Sequence, residues 1–286
     1  MICSGISDEA GKPIDVQIAA HKELGWDYIE LRNIDGVNLT DVTDAQFEEI
    51  CGKVTDAGLK VSDFASQLCN WSRPITTDFE VDRAELARAI PRMQTCGTEF
   101  IRIMSYPNDK ENPWPDETWR DEAVRRIKEL AKMAEDGGVM LVHENCDGWG
   151  GEGPEHSLEL LERVDSPALS LLWDTGNPVL HDQDAWDYFY KVRQRVTYVH
   201  IKDAVHQDDG SKKFTFCGEG EGAVQRTLCD LAQEGYDGFI SIEPHLAAII
   251  HESKDADDPD AAYRYYVEYG HRLMKLIDEA KASCGS

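Results

Sequence analysis

The chain has 286 residues and carries 55 Asp and Glu against 29 Lys and Arg, which gives a formal net charge of −26. Its length suits one (β/α)8 barrel, a fold of about 250 residues. The acidic excess disfavours nucleic acids and acidic membrane surfaces as partners, because both are bound through clustered basic residues.

Several features predict a cytoplasmic protein. Residues 1–8 lack the basic segment and the apolar stretch of a signal peptide. No apolar run approaches the ~18 residues that a membrane-spanning helix needs. The eight cysteines are scattered without a C-x-x-C pair, so we expect reduced thiols.

Strand-like and helix-like segments alternate along the whole chain. Short apolar runs typical of buried strands occupy residues 1–6, 28–31, 59–64, 100–104, 139–144, 169–174, 196–200 and 238–243. Segments with helical periodicity follow them at residues 14–24, 44–57, 82–95, 116–136, 157–164, 184–192, 223–234 and 260–280. Thr43 is the expected cap of the second helix, and Gly58 is its expected end.

Eight such units without a break in composition predict parallel strands closed into one ring. The predicted fold is therefore α/β, a (β/α)8 TIM barrel that forms a single domain over residues 1–286. An open doubly wound sheet is the alternative, but no G-x-G-x-x-G turn opens the first helix. The glycines of residues 148–153 do not match that fingerprint either, so we interpret this segment as an adaptable loop beside the site.

The last four predicted strands each end on a potential metal ligand. These residues are Glu144, Asp174, His200 and Glu243, separated by 30, 26 and 43 residues, spacings that fit βα units. Parallel strands gather the residues at their carboxyl ends on one face of a sheet. Three carboxylates and an imidazole in one place would repel one another unless a divalent cation held them. The pattern therefore indicates a metal site and an enzyme.

The motifs around these residues resemble those of the xylose-isomerase-like barrel superfamily, in particular its sugar isomerase and epimerase branch. The matching segments are residues 143–145 (HEN), 173–177 (WDTGN), 200–203 (HIKD), 218–222 (GEGEG) and 243–244 (EP). The resemblance implies that Glu144, Asp174, His200 and Glu243 bind one divalent cation. Mn²⁺ is the expected ion, and Mg²⁺, Co²⁺ and Zn²⁺ are alternatives.

Two positions depart from the ketose epimerases of this branch, and both concern the substrate. Where those enzymes have a His and an Arg that contact sugar oxygens, this chain has Asn177 and His206. We predict Asn177, His206, Arg32 and Lys202 as substrate contacts, and a solvent-exposed loop position is the alternative for His206. Asn145 is expected to border the same cleft.

The expected chemistry is proton transfer next to a carbonyl of a ketose or related keto-sugar, with Glu144 and Glu243 as the catalytic carboxylates. An isomerase or epimerase is the main hypothesis, and a lyase acting on an inosose or a 3-keto-sugar is the alternative. An endonuclease-IV-type enzyme is disfavoured by the net charge and by only 9 histidines. A non-catalytic binding protein is disfavoured because burying this many charges is costly. The expected partner is a small unphosphorylated sugar or polyol, and a homo-oligomer is left open.

Overall fold

Eight parallel strands form the centre of the structure, a computed structural model that describes residues 1–245, 258 and 260–284. The strands are β1 (Ile2–Gly5), β2 (Tyr28–Leu31), β3 (Lys60–Phe64), β4 (Phe100–Ser105), β5 (Met140–Gly148), β6 (Leu169–Asp174), β7 (Val196–Ile201) and β8 (Phe239–Ile242). They pair in the order β1-β8-β7-β6-β5-β4-β3-β2, and every pairing is parallel. A bridge between Ile6 and Glu30 brings the two ends of the sheet together. The predicted (β/α)8 barrel is confirmed.

Helices connect successive strands on the outside of the barrel. They are α1 (Ile14–Glu23), α2 (Asp44–Asp56), α3 (Glu80–Cys96), α4 (Asp116–Gly137), α5 (Pro154–Val164), α6 (Ala185–Val192), α7 (Val224–Gln233) and α8 (Ala261–Cys284). A short additional helix, Asn177–Leu180, follows β6. Within the described part of the chain, no helix is both long enough and apolar enough to cross a bilayer.

The helix boundaries follow local capping chemistry. Thr43 caps α2 as predicted, and its side chain accepts a hydrogen bond from the backbone of Gln46 while the Gln46 side chain accepts one from the backbone of Thr43. α5 begins three residues before the predicted start at residue 157. Pro154 explains the difference, because a proline fits the first position of a helix, where the missing N–H needs no partner.

The barrel interior has an apolar end and a polar end. Phe100, Met140 and Phe239, the first residues of three strands, pack with Tyr198 and close the amino end of the barrel. Polar side chains lie above this layer, towards the carboxyl ends of the strands. The buried charges of the barrel interior therefore lie at its carboxyl end.

Two antiparallel hairpins that the sequence analysis did not predict lie beyond β2 and β7. The first pairs Asn33–Ile34 with Val37–Asn38, and the second pairs Asp203–His206 with Lys212–Thr215. Asp203 ties the second hairpin to the glycine-rich turn that follows it, since its carboxylate accepts backbone hydrogen bonds of 2.9 Å from Gly218, Gly220 and Gly222.

The glycine-rich segment after β5 folds back tightly on the strand. A Cβ atom at Gly148 would lie 2.5 Å from the carbonyl carbon of Ser105, and φ at Gly148 is +108°. A Cβ atom at Gly151 would lie 1.6 Å from the carbonyl oxygen of Cys146. These glycines are therefore needed for close backbone packing.

The expectation of reduced thiols is wrong for Cys51, Cys96 and Cys229, which are disulfide-bonded. Cys51 in α2 and Cys96 in α3 form a disulfide with a Cα–Cα distance of 6.4 Å. The two residues are 45 positions apart, and only the packing of the helices on either side of β3 brings them together. Cys3, Cys69, Cys146 and Cys217 are free thiols.

Candidate active site

Four buried side chains meet at the carboxyl ends of β5 to β8. They are Glu144, Asp174, His200 and Glu243, and one ligand atom from each lies within 4.8 Å of those of the other three. The strand register explains the meeting, because Asp174 pairs directly with His200, and Ser241, two residues before Glu243, pairs with His200 from the other side.

Three of these side chains each have one buried atom that makes no hydrogen bond within the described residues. Asp174 Oδ1 accepts backbone hydrogen bonds from Gly176 (2.9 Å) and Asn177 (2.7 Å), and Glu144 Oε1 accepts one of 3.0 Å from the Asn177 side chain. The remaining atoms, Asp174 Oδ2, Glu144 Oε2 and His200 Nδ1, are buried and make no hydrogen bond within the described residues. Buried polar atoms are rarely left unpaired. Carboxylate oxygens with one imidazole nitrogen are suitable ligands for a divalent cation, so the cluster fits a metal.

Three cationic side chains surround the carboxylates. Lys202 Nζ lies 2.9 Å from Glu243 Oε2 and 3.1 Å from Asp174 Oδ2. Arg102 Nη1 lies 3.4 Å from Glu144 Oε2, and Arg32 Nη1 lies 3.3 Å from Glu243 Oε1. These positive charges offset the cost of burying three carboxylates together.

The pKa values of the carboxyl groups separate in this environment. Burial raises the pKa of Asp174 to about 7, although Lys202 opposes the shift. Burial also opposes ionisation of Glu243, but the charge of Lys202, with a smaller contribution from the nearby His200, holds the pKa of Glu243 well below its usual range. Clusters of titratable groups with divergent pKa values are typical of catalytic sites.

An open cavity of about 460 Å³ leads from solvent to this cluster. Its wall contains side-chain amides and an aromatic ring, contributed by Asn33, Asn38, Gln67, Asn70, Asn177 and Trp71. Trp71 is 64% exposed and lies in the loop between β3 and α3. The volume is in the range of small-molecule sites.

The sequence comparisons agree with this architecture. The pattern of the family described as xylose isomerase-like TIM barrel matches residues 18–268. The chain belongs to this family. The resemblance predicted from the strand-end motifs is confirmed.

Relatives of this xylose isomerase-like barrel include inosose dehydratases. One from Clostridium tetani (strain Massachusetts / E88) is 26% identical over 195 residues, which cover 63% of this chain and 60% of that protein. One from Lacticaseibacillus casei is 27% identical over 184 residues, 59% of this chain and 57% of that protein. The chain thus matches under two thirds of the length of these curated relatives.

Solved structures share the barrel over nearly its whole length. A D-psicose 3-epimerase from Clostridium cellulolyticum H10, solved with D-tagatose, superimposes with a TM-score of 0.74 at 14% identity, covering 97% of this chain and 99% of that one. A xylose isomerase-like TIM barrel protein from Mycobacterium smegmatis, in complex with magnesium, gives a TM-score of 0.70 at 19% identity, covering 98% and 97%. At these identities the likeness concerns the fold.

Among the predicted substrate contacts of this xylose isomerase-like barrel, Arg32, Asn177 and Lys202 line the cavity. His206 does not belong to its lining. It lies exposed on the hairpin after β7, where its ring nitrogens are 2.7 Å from Glu221 and 3.0 Å from Asp182. We therefore leave His206 out of the site proposed below.

Asn145 also has a different place from the expected one. It does not line the cavity, and its side chain instead bonds both backbone groups of Asp174, accepting from the N–H at 2.6 Å and donating to the C=O at 2.9 Å. Asn145 therefore fixes the end of β6 and, through it, the Asp174 carboxylate.

Glu30, Arg102 and His245 are titratable residues of the site that the sequence analysis did not predict. Glu30 and Arg102 lie within β2 and β4, and a charged residue inside an apolar run was the available signal. His245 follows Glu243 by two residues and lines the cavity, with φ of +52°. Its ring stacks on Phe214 at a centroid distance of 4.5 Å. Burial lowers the pKa of His245 to about 3, so the ring is neutral at pH 7.

Proposed function

We propose that this protein is a divalent-metal-dependent sugar isomerase or epimerase that moves a proton next to the carbonyl of a ketose or related keto-sugar. The supporting observation is the buried cluster of Glu144, Asp174, His200 and Glu243, in which three side chains each have a ligand atom that makes no hydrogen bond within the described residues. The oxygen-rich ligand set favours Mn²⁺ or Mg²⁺.

Glu144 and Glu243 are the proposed proton-transfer groups. A bound cation would polarise the substrate carbonyl and acidify the adjacent C–H bond. The two carboxylates extend from β5 and β8, the first and last of the four strands that carry the cluster. Removal by one carboxylate and return by the other inverts a carbon, which is epimerisation. Return to the neighbouring carbon by a single carboxylate gives isomerisation.

Lys202 is the proposed electrostatic partner of the substrate. Its buried ammonium group, 2.9 Å from Glu243, lies on the cavity wall. A fixed cation there stabilises negative charge that develops on a substrate oxygen, because the site has a low local dielectric. Asn177, whose side-chain amide donates a hydrogen bond to Glu144, would orient a substrate hydroxyl group by hydrogen bonding.

The cavity chemistry favours an uncharged polyhydroxylated substrate. Side-chain amides supply both donors and acceptors for hydroxyl groups. The lining cations Arg32, Arg102 and Lys202 are each within 4.0 Å of at least one carboxylate. No unpaired cation remains among the described lining residues to bind a phosphate, so we propose an unphosphorylated sugar or polyol.

Dehydration is a second candidate, favoured by the names of the relatives and by one contact. His245 Nε2 lies 3.4 Å from Lys202 Nζ, so an imidazole and an ammonium group stand together beside Glu243. The ammonium group of Lys202 would donate the proton that allows a hydroxyl group to depart as water after Glu243 or Glu144 has removed the neighbouring proton.

One experiment tests both candidates. The protein with Mn²⁺ is incubated in deuterated water with ketoses, inososes and 3-keto-glycosides, and the products are followed by NMR and mass spectrometry. Deuterium at one carbon in a product of unchanged composition supports the isomerase or epimerase. A product lighter by one water supports the dehydratase.

The control pair is Glu144→Gln and Glu159→Gln, since Glu159 lies on the outer helix α5 in a partly exposed ion pair. We expect only the first change to slow the formation of deuterated product, by about 10²–10⁴-fold. A protein that binds Mn²⁺ and yet exchanges no proton in any of these substrates contradicts the proposal.

A further inference from the structure

Glu30 is a buried carboxylate that the proposed chemistry does not use. It lies in β2 with no exposed surface, inside the barrel and one layer below the metal cluster. A carboxylate in such a place is costly unless several donors satisfy it. Its partners therefore show what holds it there.

The imidazole of His200 is a direct hydrogen-bonding partner of Glu30. His200 Nε2 lies 3.0 Å from Glu30 Oε1 and 3.2 Å from Oε2. The other ring nitrogen, Nδ1, faces the opposite way, 3.5 Å from Glu243 and 3.9 Å from Glu144. The ring thus links Glu30 to the cluster.

Hydroxyl donors fix Glu30 in this position. Glu30 Oε2 accepts hydrogen bonds from Tyr198 Oη at 2.9 Å and from Ser241 Oγ at 2.5 Å. Tyr198 in turn contacts Ser62 at 3.0 Å, and Ser62 contacts Ser4 at 2.7 Å. The carboxylate is therefore held by a chain of buried groups from β1, β3, β7 and β8.

We infer that Glu30 is a positioning residue that selects the tautomer of His200, with Nε2 protonated and the Nδ1 lone pair presented to a divalent cation. A neutral imidazole has one N–H and one acceptor nitrogen, and an ionised carboxylate can only accept. The proton therefore lies on Nε2, between His200 and Glu30. Outer carboxylates of this kind commonly contribute 10- to 100-fold to metal affinity. The inference rests on the proposed metal-binding role of His200.

The test compares Glu30→Gln with Tyr198→Phe. A glutamine can donate its amide N–H to His200 Nε2, which would move the ring proton to Nδ1 and block coordination. Tyr198→Phe removes a hydrogen bond to the same carboxylate but leaves the contact with His200. Mn²⁺ affinity is measured by electron paramagnetic resonance of the free ion, and the stability of the metal-free proteins is measured by urea unfolding.

We expect Mn²⁺ affinity to fall about 10- to 100-fold in Glu30→Gln and to stay within about 3-fold of wild type in Tyr198→Phe. Equal affinities in Glu30→Gln and wild type would overturn the inference, as would equal losses in both variants. A wild-type protein that binds no Mn²⁺ would instead refute the proposed function.

A second measurement does not depend on whether Glu30→Gln folds, because it uses the wild-type protein. Wild-type protein with ¹⁵N-labelled histidine rings and saturating Mg²⁺ gives long-range ¹H–¹⁵N spectra in which each ring shows its tautomer. The His200 signals are assigned by their loss in His200→Gln. A proton on Nε2 supports the inference, and a proton on Nδ1 overturns it.

Discussion

The buried ammonium group of Lys202 should matter more to the metal-free protein than to the metal-bound one. It lies 2.9 Å from Glu243 and 3.1 Å from Asp174. At an effective dielectric constant of about 20, each contact is worth roughly 5–6 kcal/mol before desolvation. Much of this offsets the cost of burying the charges, so Lys202→Met should lower the free energy of unfolding of the metal-free protein by about 3–5 kcal/mol.

A divalent cation would compensate the same carboxylates in the variant. The loss in Lys202→Met should therefore be smaller at saturating Mn²⁺ than without metal. If saturating Mn²⁺ makes the loss in the free energy of unfolding smaller by about 2 kcal/mol, thermodynamic linkage requires the variant to bind Mn²⁺ about 30-fold more tightly than wild type. Methionine is an unbranched apolar side chain close to lysine in length, so the effect of charge is largely separated from that of packing.

The assay is urea unfolding of both proteins with and without Mn²⁺, together with a direct measurement of Mn²⁺ affinity. Lys53→Met is the matched control, since Lys53 lies 3.1 Å from Asp15 on the surface and its side chain is 37% exposed. That change should lower the free energy of unfolding by less than about 1 kcal/mol, and by the same amount with and without Mn²⁺. Weaker Mn²⁺ binding in Lys202→Met, or an equal loss with and without metal, would refute the electrostatic reasoning.

Changes at three further places test separate parts of the structure. Glu243→Gln and Glu144→Gln should each lower kcat by about 10²–10⁴-fold while some Mn²⁺ binding remains, and near wild-type turnover would exclude that residue as a proton carrier. Burial lowers the pKa of His143 from 6.5 to about 3, so the unfolded chain binds an additional proton below pH 6.5. Between pH 7 and 5 this should reduce the free energy of unfolding by about 2 kcal/mol, a contribution that urea titrations of His143→Leu should lack. Thr43→Ala, which removes the cap of α2, should cost about 1 kcal/mol in the same assay, whereas Thr43→Ser should restore most of it.

The sequence by itself determined the order of the elements and the strand-end cluster. Apolar runs ending in Glu144, Asp174, His200 and Glu243 recur at βα spacing, and parallel strands necessarily bring their carboxyl ends to one face. Local signals also placed most helix ends, as the cap at Thr43 shows. These features are short-range, so the sequence contains them directly.

Only the tertiary structure decided what surrounds the cluster. Glu30 and Arg102 belong to β2 and β4, far from the cluster in sequence, and they reach it because closure of the barrel directs both strands to the same interior. His206 has a sequence position compatible with the cavity, but the unpredicted hairpin places it outside. The Cys51–Cys96 disulfide likewise depends on two helices packing on either side of β3. Such contacts depend on side-chain direction and on the packing of distant segments, which neither periodicity nor spacing encodes.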